Sequence, residues 1–391
     1  MVMPLAGRSV AAVIGALLIL VTGYSVIGTL IVPRSVGSRL TNLVDQVVNV
    51  SFRLAVQRIG RYRRGQAPTA RESQALYRRR DRVLAAQGSA ILICQLVAWL
   101  AFFYVGFALL LWPFISGGIT TAFTTAGPGI WQIGAFEEHG AAQRAIIDFA
   151  AITGIVTITL QIAYLPTLYS EFNRRETDIA LLNARAGVPS WGPELLARTH
   201  YALGSGFSTI DTLPDLYSQW ERWSADVAES HTTYLPLVRF RSPRPLSSWV
   251  TALLAVLDSA AMILALSPAS APEVPARLCL RGGFQCFNDL AAAMGLKIPE
   301  PDPAGGVSLS YEEFLTAVNR MREVDFPIER DPADAWPDFV GWRVNYEGAA
   351  YAIAYTLDVV PALWSGPRRY PAEPIPPMRP GPGRMPGMKK K

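Results

Sequence analysis

The chain has 391 residues, half of them apolar, and carries 36 Lys and Arg against 31 Asp and Glu. A positive mean hydropathy at this length sets it apart from ordinary soluble proteins, and its three cysteines are too few for a disulfide-built scaffold. The apolar residues concentrate in residues 9–33, 83–136 and 145–170.

Residues 9–33 contain no charged side chain. Crossing a bilayer takes ~20 apolar residues, and Val10–Val32 meets that need. A cleaved signal peptide is the competing reading. Only Arg8 precedes the run, the run is long, and no clear small-x-small cleavage site follows, so a retained anchor over residues 1–37 is expected. Residues 38–85 form a basic connection. From Arg34 to Arg82 a series of arginines is opposed only by Asp45, Glu72 and Asp81, which places the connection on the cytoplasmic side. Within it, Leu40–Ile59 has an amphipathic pattern, with Leu43, Val47, Val50, Leu54 and Val56 among polar residues. Such a segment suits the anionic inner leaflet; a nucleic acid is not an expected partner beside a bilayer.

No charge occurs from Val83 to Phe136. Gly88–Trp112 makes a second span. The rest holds Gly117, Gly118, Gly127, Pro128, Gly129 and Gly134, breakers that a lipid-facing helix does not tolerate unless protein or a water cavity covers the freed backbone groups. A re-entrant loop and an ordinary extracellular loop both fit. The third span is Ala145–Tyr169, charged only at Asp148 and carrying Gly154, Gln161 and Pro166. Residues 113–143 hold no Lys or Arg, whereas Arg174 and Arg175 follow the third span. The N-terminus is therefore expected outside, with three spans and a cytoplasmic C-terminal half.

Residues 170–366 read as a helical domain. Gly192-Pro193 and Pro214 mark helix starts, and Ser310-Tyr311-Glu312-Glu313 is a capping box. Trp249–Leu266 and Gly348–Leu363 each contain an aspartate, Asp258 and Asp358, and are expected as buried core helices rather than spans; a five-span chain with residues 267–347 outside is the alternative. Cys279 and Cys286 are expected as buried reduced thiols. The Pro-rich tail 367–391, ending in Lys389-Lys390-Lys391, is expected to be disordered. Phosphate-loop, HExxH and nucleophile signatures are absent from the sequence, so neither an enzyme nor a cofactor is expected.

A span, a Gly-rich uncharged loop and a second span is the plan of a cation-channel pore. A short pore helix descends, extended backbone aims its carbonyls at the ion, and the last span lines the cavity. The loop Ala122–Phe136, the stretch Tyr164–Tyr169 with Arg174-Arg175-Glu176, and Ser190–Leu196 resemble bacterial two-pore-domain-like potassium channels, which carry one pore loop per chain. Glu229-Ser230-His231, Phe240-Arg241-Ser242 and Ser247-Ser248-Trp249 resemble the cytoplasmic domain of the same family. The resemblance implies an all-α membrane protein with a pore module at residues 86–169, a homotetramer in the bacterial inner membrane, and potassium or sodium as the conducted cation.

Two filter registers compete. Thr125, Ala126, Gly127, Pro128 and Gly129 follow the T-T-x-G-x-G pattern from Thr124. Gln132, Ile133, Gly134 and Ala135 match the position of the family's T-L-G-F-like filter and are favoured, although Gln132 replaces the threonine and Ala135 the aromatic. In that register Gly127-Pro128-Gly129 is expected to break the pore helix. Glu137, Glu138 and Asp148 would ring the outer mouth, and Gly154 and Pro166 are candidate gating hinges. The alternative function is a non-conducting, membrane-anchored helical scaffold or sensor.

Overall fold

The computed structural model describes residues 5–32, 38–59, 68–131, 140–199, 209–302 and 306–378. Among these residues the secondary structure is helical without a strand, and two isolated bridges, Val188 with Met378 and Ala362 with Ile375, are the sole β-type pairings. The chain divides into two compact units, residues 1–55 with 86–170 and residues 56–85 with 171–391.

The first unit holds α1 (Leu5–Leu30), most of α2 (Arg39–Ile59), α4 (Gln87–Leu111), α5 (Ile119–Trp131) and the first part of α6 (Ala141–Ala186). α1 and α4 cross where glycine meets glycine. A Cβ on Gly15 would lie 2.5 Å from the Gly106 carbonyl oxygen, and one on Gly106 would lie 2.8 Å from Ile19. Small residues allow this backbone approach, which replaces the hydrophobic drive that helices lack in lipid. The outer faces are apolar: Leu17, Leu20 and Val21 on α1 and Ile93 and Val97 on α4 are each more than half exposed. A bilayer solvates such surface and water does not.

Several polar groups of this unit turn inward and pair. Trp99 Nε1 donates to Ser25 Oγ at 3.0 Å, and Ser25 and Ser38 share a 2.6 Å hydrogen bond. α2 is held to α4 by Gln95 donating to Asp45 at 3.0 Å and Gln87 donating to Asn49 at 2.8 Å. The opposite face of α2 exposes Leu43, Val47, Val50 and Leu54.

The second unit comprises α3 (Ala70–Leu84), the end of α6, α7 (Gly192–Thr199), α8 (Leu213–Thr233), α9 (Trp249–Leu266), α10 (Glu273–Ala293), α11 (Tyr311–Arg322) and α12 (Pro332–Leu357). The capping boxes Thr69/Glu72 and Ser310/Glu313 start α3 and α11 by satisfying orphan amides. Among the described residues, four helices or helical stretches are long and apolar enough to cross a membrane: Gly7–Leu30, the stretch ending at Phe114, α6 and α9. They differ in what surrounds them. The apolar window of α9 is 94% buried by protein, against 33%, 44% and 28% for the other three. α9 is wrapped by α7, α8, α10 and α12, so its apolar surface is already covered.

Asp258 shows how a charge is accommodated at that centre. The buried Arg343 donates to it, Tyr346 donates to it at 2.8 Å, and Arg343 also pairs with Glu347 at 2.6 Å. Asp358 lies beyond the end of α12 in the left-handed conformation and pairs with Arg80 at 2.7 Å. α7 meets α9 through Gly192, where a Cβ would stand 2.8 Å from the Ala255 carbonyl oxygen. Cys279 and Cys286 are free and buried, and burial pushes both thiols up, away from reactive thiolate.

The tail departs from the disorder expected of its composition. Residues 367–378 pack on the second unit. Arg368 donates to the carbonyls of Val360, Ser365, Gly366 and Pro367. Tyr370 lies under the Arg80 guanidinium at 4.0 Å, and Ile375 is 3% exposed. Arg368 thus ties the start of the tail to the carbonyls that precede it. Residues 379–391 lie outside the described residues.

Candidate functional site

The module made of α4, α5 and the start of α6 contains the candidate pore residues. α5 begins just after Gly117-Gly118, with the amide of Thr121 bonded to the Gly118 carbonyl at 3.1 Å. Its 13 residues span about 20 Å at 1.5 Å per residue, short of the ~30 Å hydrocarbon core. One face packs on α4: Ala122 and Ala126 are 0% and 1% exposed, in the cluster that holds Trp99, Leu100, Phe103 and Phe107. Tyr104 of α4 donates its hydroxyl to the Phe123 carbonyl at 3.0 Å, and its ring meets the Phe123 ring edge-on at 5.3 Å. Thr124 and Thr125 turn their hydroxyls back onto the Thr121 carbonyl at 3.0 and 2.8 Å. These hydroxyls are thereby satisfied without water.

Thr125, Ala126, Gly127, Pro128 and Gly129 all lie in this helix. Helical carbonyls run along the axis, so the extended backbone that the alternative register requires is not found there. Nor does Gly127-Pro128-Gly129 break the helix as the composition suggests. Pro128 removes one amide from the ladder, yet the helix continues to Trp131. Tyr104 of α4 comes within 3.7 Å of a Cβ position on Gly127, so this turn is covered by α4. Gln132, Ile133, Gly134, Ala135, Glu137 and Glu138 lie outside the described residues.

Asp148 is exposed in the second turn of α6. Gly154 is buried and Pro166 exposed, and α6 is assigned as one helix through both. Phe149, Ile152, Ile155, Val156 and Ile162 of α6 are about half exposed or more, so this helix presents one broad apolar face opposite the buried one.

Past Ser170, α6 carries a second constellation, within the second unit. The Arg175 guanidinium is buried and makes five hydrogen bonds to four acceptors: Glu176 Oε1 at 2.7 and 3.0 Å, the Leu237 carbonyl at 3.0 Å, the Phe240 carbonyl at 2.7 Å and His231 Nε2 at 3.0 Å. The Trp223 indole donates to the Arg175 carbonyl at 3.2 Å. Arg175 has no acceptor atom, so Nε2 of His231 must accept and Nδ1 must hold the ring proton. Burial and the neighbouring guanidinium hold His231 well below the usual imidazole range, so the ring is neutral. Three stretches singled out in the sequence, around Arg175, His231 and Phe240, thus converge on one guanidinium. Their spacing gives no sign of it, because the partners are 56 and 65 residues apart.

Arg241, adjacent in sequence, pairs with Asp81 at 2.8 Å and donates to the Tyr77 hydroxyl at 3.1 Å. Glu194, after Gly192-Pro193, accepts from Arg198 at 2.8 Å and from Arg320 at 2.7 Å. Burial would raise its carboxyl, but the two guanidinium hydrogen bonds outweigh that and hold it below the usual carboxylate range. No cluster of three or more His, Cys, Asp or Glu side chains able to hold a metal occurs among the described residues. No family model matches the chain, and no curated protein or solved structure is significantly similar to it.

Proposed function

We propose that the chain is one subunit of a potassium-channel-like cation channel in a bacterial inner membrane, assembled as a homotetramer. The observation that carries this reading is α5. It is a helix too short to cross the hydrocarbon core, packed lengthwise on the apolar α4 and followed at a short interval by the apolar α6. That is the order pore helix, filter segment, inner helix. The helical state of Thr125–Gly129 leaves the next residues, Gln132–Ala135, as the filter segment of this reading. One pore loop cannot surround an ion, and the broad exposed apolar face of α6 gives neighbouring copies or lipid something to cover.

In this arrangement α1, α4 and the first part of α6 span the membrane, the N-terminus is outside and the second unit is cytoplasmic. Glu137, Glu138 and Asp148, repeated fourfold, attract cations to the mouth. Gln132 and Ala135 lack the threonine hydroxyl and bracing aromatic of a potassium filter, so discrimination between potassium and sodium is poor. The test is the reversal potential of purified protein in liposomes under mixed potassium and sodium gradients. A cation current whose selectivity sharpens with Gln132→Thr and Ala135→Phe supports the reading. A shift confined to Gly127 and Gly129 variants overturns the filter position, and absence of current from every form leaves a membrane-anchored scaffold.

A further inference from the structure

On α2 the two faces are reversed from those of a helix on a water-soluble protein. Asp45 and Asn49 turn toward the protein and accept from Gln95 and Gln87 of α4. Leu43, Val47, Val50 and Leu54 turn away from it and are 42–57% exposed. At about 3.6 residues per turn these four fall within an arc of about 60°, with Asp45 and Asn49 on the far side of the helix. Water favours the opposite arrangement, so something apolar covers the outer face of α2. The two hydrogen bonds also fix its level. Gln87 stands just before the apolar run of α4, and Gln95 lies inside that run, about 10 Å along it. A bilayer around that part of α4 therefore reaches α2 as well. Beyond Asn49 the helix leads away from the apolar run and carries Arg53 and Arg58. Both are exposed, as is Arg39 at the helix start, and no ion pair among the described residues engages any of the three.

We infer that α2 binds anionic phospholipid of the cytoplasmic leaflet: acyl chains cover the Leu43–Leu54 stripe, and Arg53 and Arg58 hold the phosphate of the headgroup. An arginine beside an apolar surface reaches the headgroup level on its aliphatic stem, and an anionic lipid gives it an attraction that a zwitterionic lipid does not. Charge decides the occupant. The helix carries three arginines against one aspartate, and that aspartate is turned to α4. A second copy packed stripe against stripe would bring the arginines of the two copies together, a like-charge arrangement that disfavours it. The proposal rests on the membrane placement given above, with the start of α4 on the cytoplasmic side, and not on whether the pore conducts.

The experiment places the full chain in nanodiscs that contain spin-labelled lipid, with a bimane fluorophore on one introduced cysteine. The background is Cys94→Ala; Cys279 and Cys286 are buried. Probes at Val47→Cys and Val50→Cys should be quenched, as should one at Val97→Cys on the exposed face of α4, whereas one at the exposed Glu312→Cys of the second unit should not. Quenching at Val97 with none at Val47 and Val50 overturns the proposal, because protein then covers the stripe, and leaves the membrane placement standing. No quenching at Val97 removes the membrane placement and the proposal with it. The headgroup is read from thermal unfolding in detergent titrated with short-chain phosphatidylglycerol or phosphatidylcholine. Phosphatidylglycerol should raise the melting temperature at the lower concentration, and combining Arg53→Gln with Arg58→Gln should raise the concentration it needs about tenfold. Both side chains are exposed, so this variant is expected to fold. Equal response to the two lipids, or a double variant that responds as the wild type does, overturns the proposal.

Discussion

Arg343 is fully buried and satisfies two carboxylates, the Tyr351 hydroxyl and the Trp364 carbonyl. Removing one member of such a set leaves an uncompensated charge in a low-dielectric site. Arg343→Met is therefore expected to cost about 3–5 kcal/mol, read as a large fall in melting temperature. Arg343→Met combined with Asp258→Leu should recover part of the loss, because no charge at residue 258 is then stranded. His231 supplies a pH dependence of known sign. Its ring stays neutral in the folded state, while the unfolded chain takes up a proton below about pH 6.5. The unfolded state thus binds more protons, and stability falls as pH drops from about 6.5, by up to ~1.4 kcal/mol per pH unit for this one group. Comparing melting temperatures of wild type and His231→Gln between about pH 7.5 and 5.5 isolates the contribution. Equal slopes would show that His231 takes up its proton in the folded state after all.

Among the elements, the ones legible in the sequence were those whose signals are local. The capping box at Ser310–Glu313 starts α11, Gly192-Pro193 opens α7, and Pro214 stands in the first turn of α8. The apolar stretches assigned as spans coincide with α1, α4 and α6. What was not legible depends on partners distant in the chain. Composition makes Gly127-Pro128-Gly129 a breaker, yet the helix continues there beside Tyr104 of α4. The tail reads as disordered until Arg80, 278 residues before its ion-pair partner Asp358, stacks on Tyr370. For α9 the sequence favours a core helix over a span because of Asp258, but it does not show which helices cover it. The α1–α4 crossing gives a direct test at this scale. Gly15→Leu forces a side chain into the Gly106 backbone and should separate the two helices, lowering the detergent melting temperature, whereas Gly23→Leu, at a position with nothing within 4 Å, should be tolerated. Equal behaviour of the two variants would deny that the crossing holds the unit together.

At the scale of the whole molecule, α9 raises a problem of timing. Its hydropathy of 2.0 is matched by 1.9 for α6, so machinery that sorts nascent segments by apolarity has little with which to separate them. The difference lies in what arrives later. Arg343, which neutralises Asp258, is 85 residues downstream, and at about 5–20 residues per second the ribosome needs roughly 4–17 s to supply it. During that interval α9 is a candidate for the translocon with a lone aspartate as its only deterrent, at a cost of about 2.5–3.5 kcal/mol. A nascent chain halted before α12 should therefore admit α9 into the bilayer in a measurable fraction of molecules, read by glycosylation of an acceptor site placed near residue 300, and the full-length chain should not. Asp258→Leu should raise that fraction in the halted chain. Identical glycosylation of halted and complete chains would mean that α9 is sorted by its own sequence, before its partners exist.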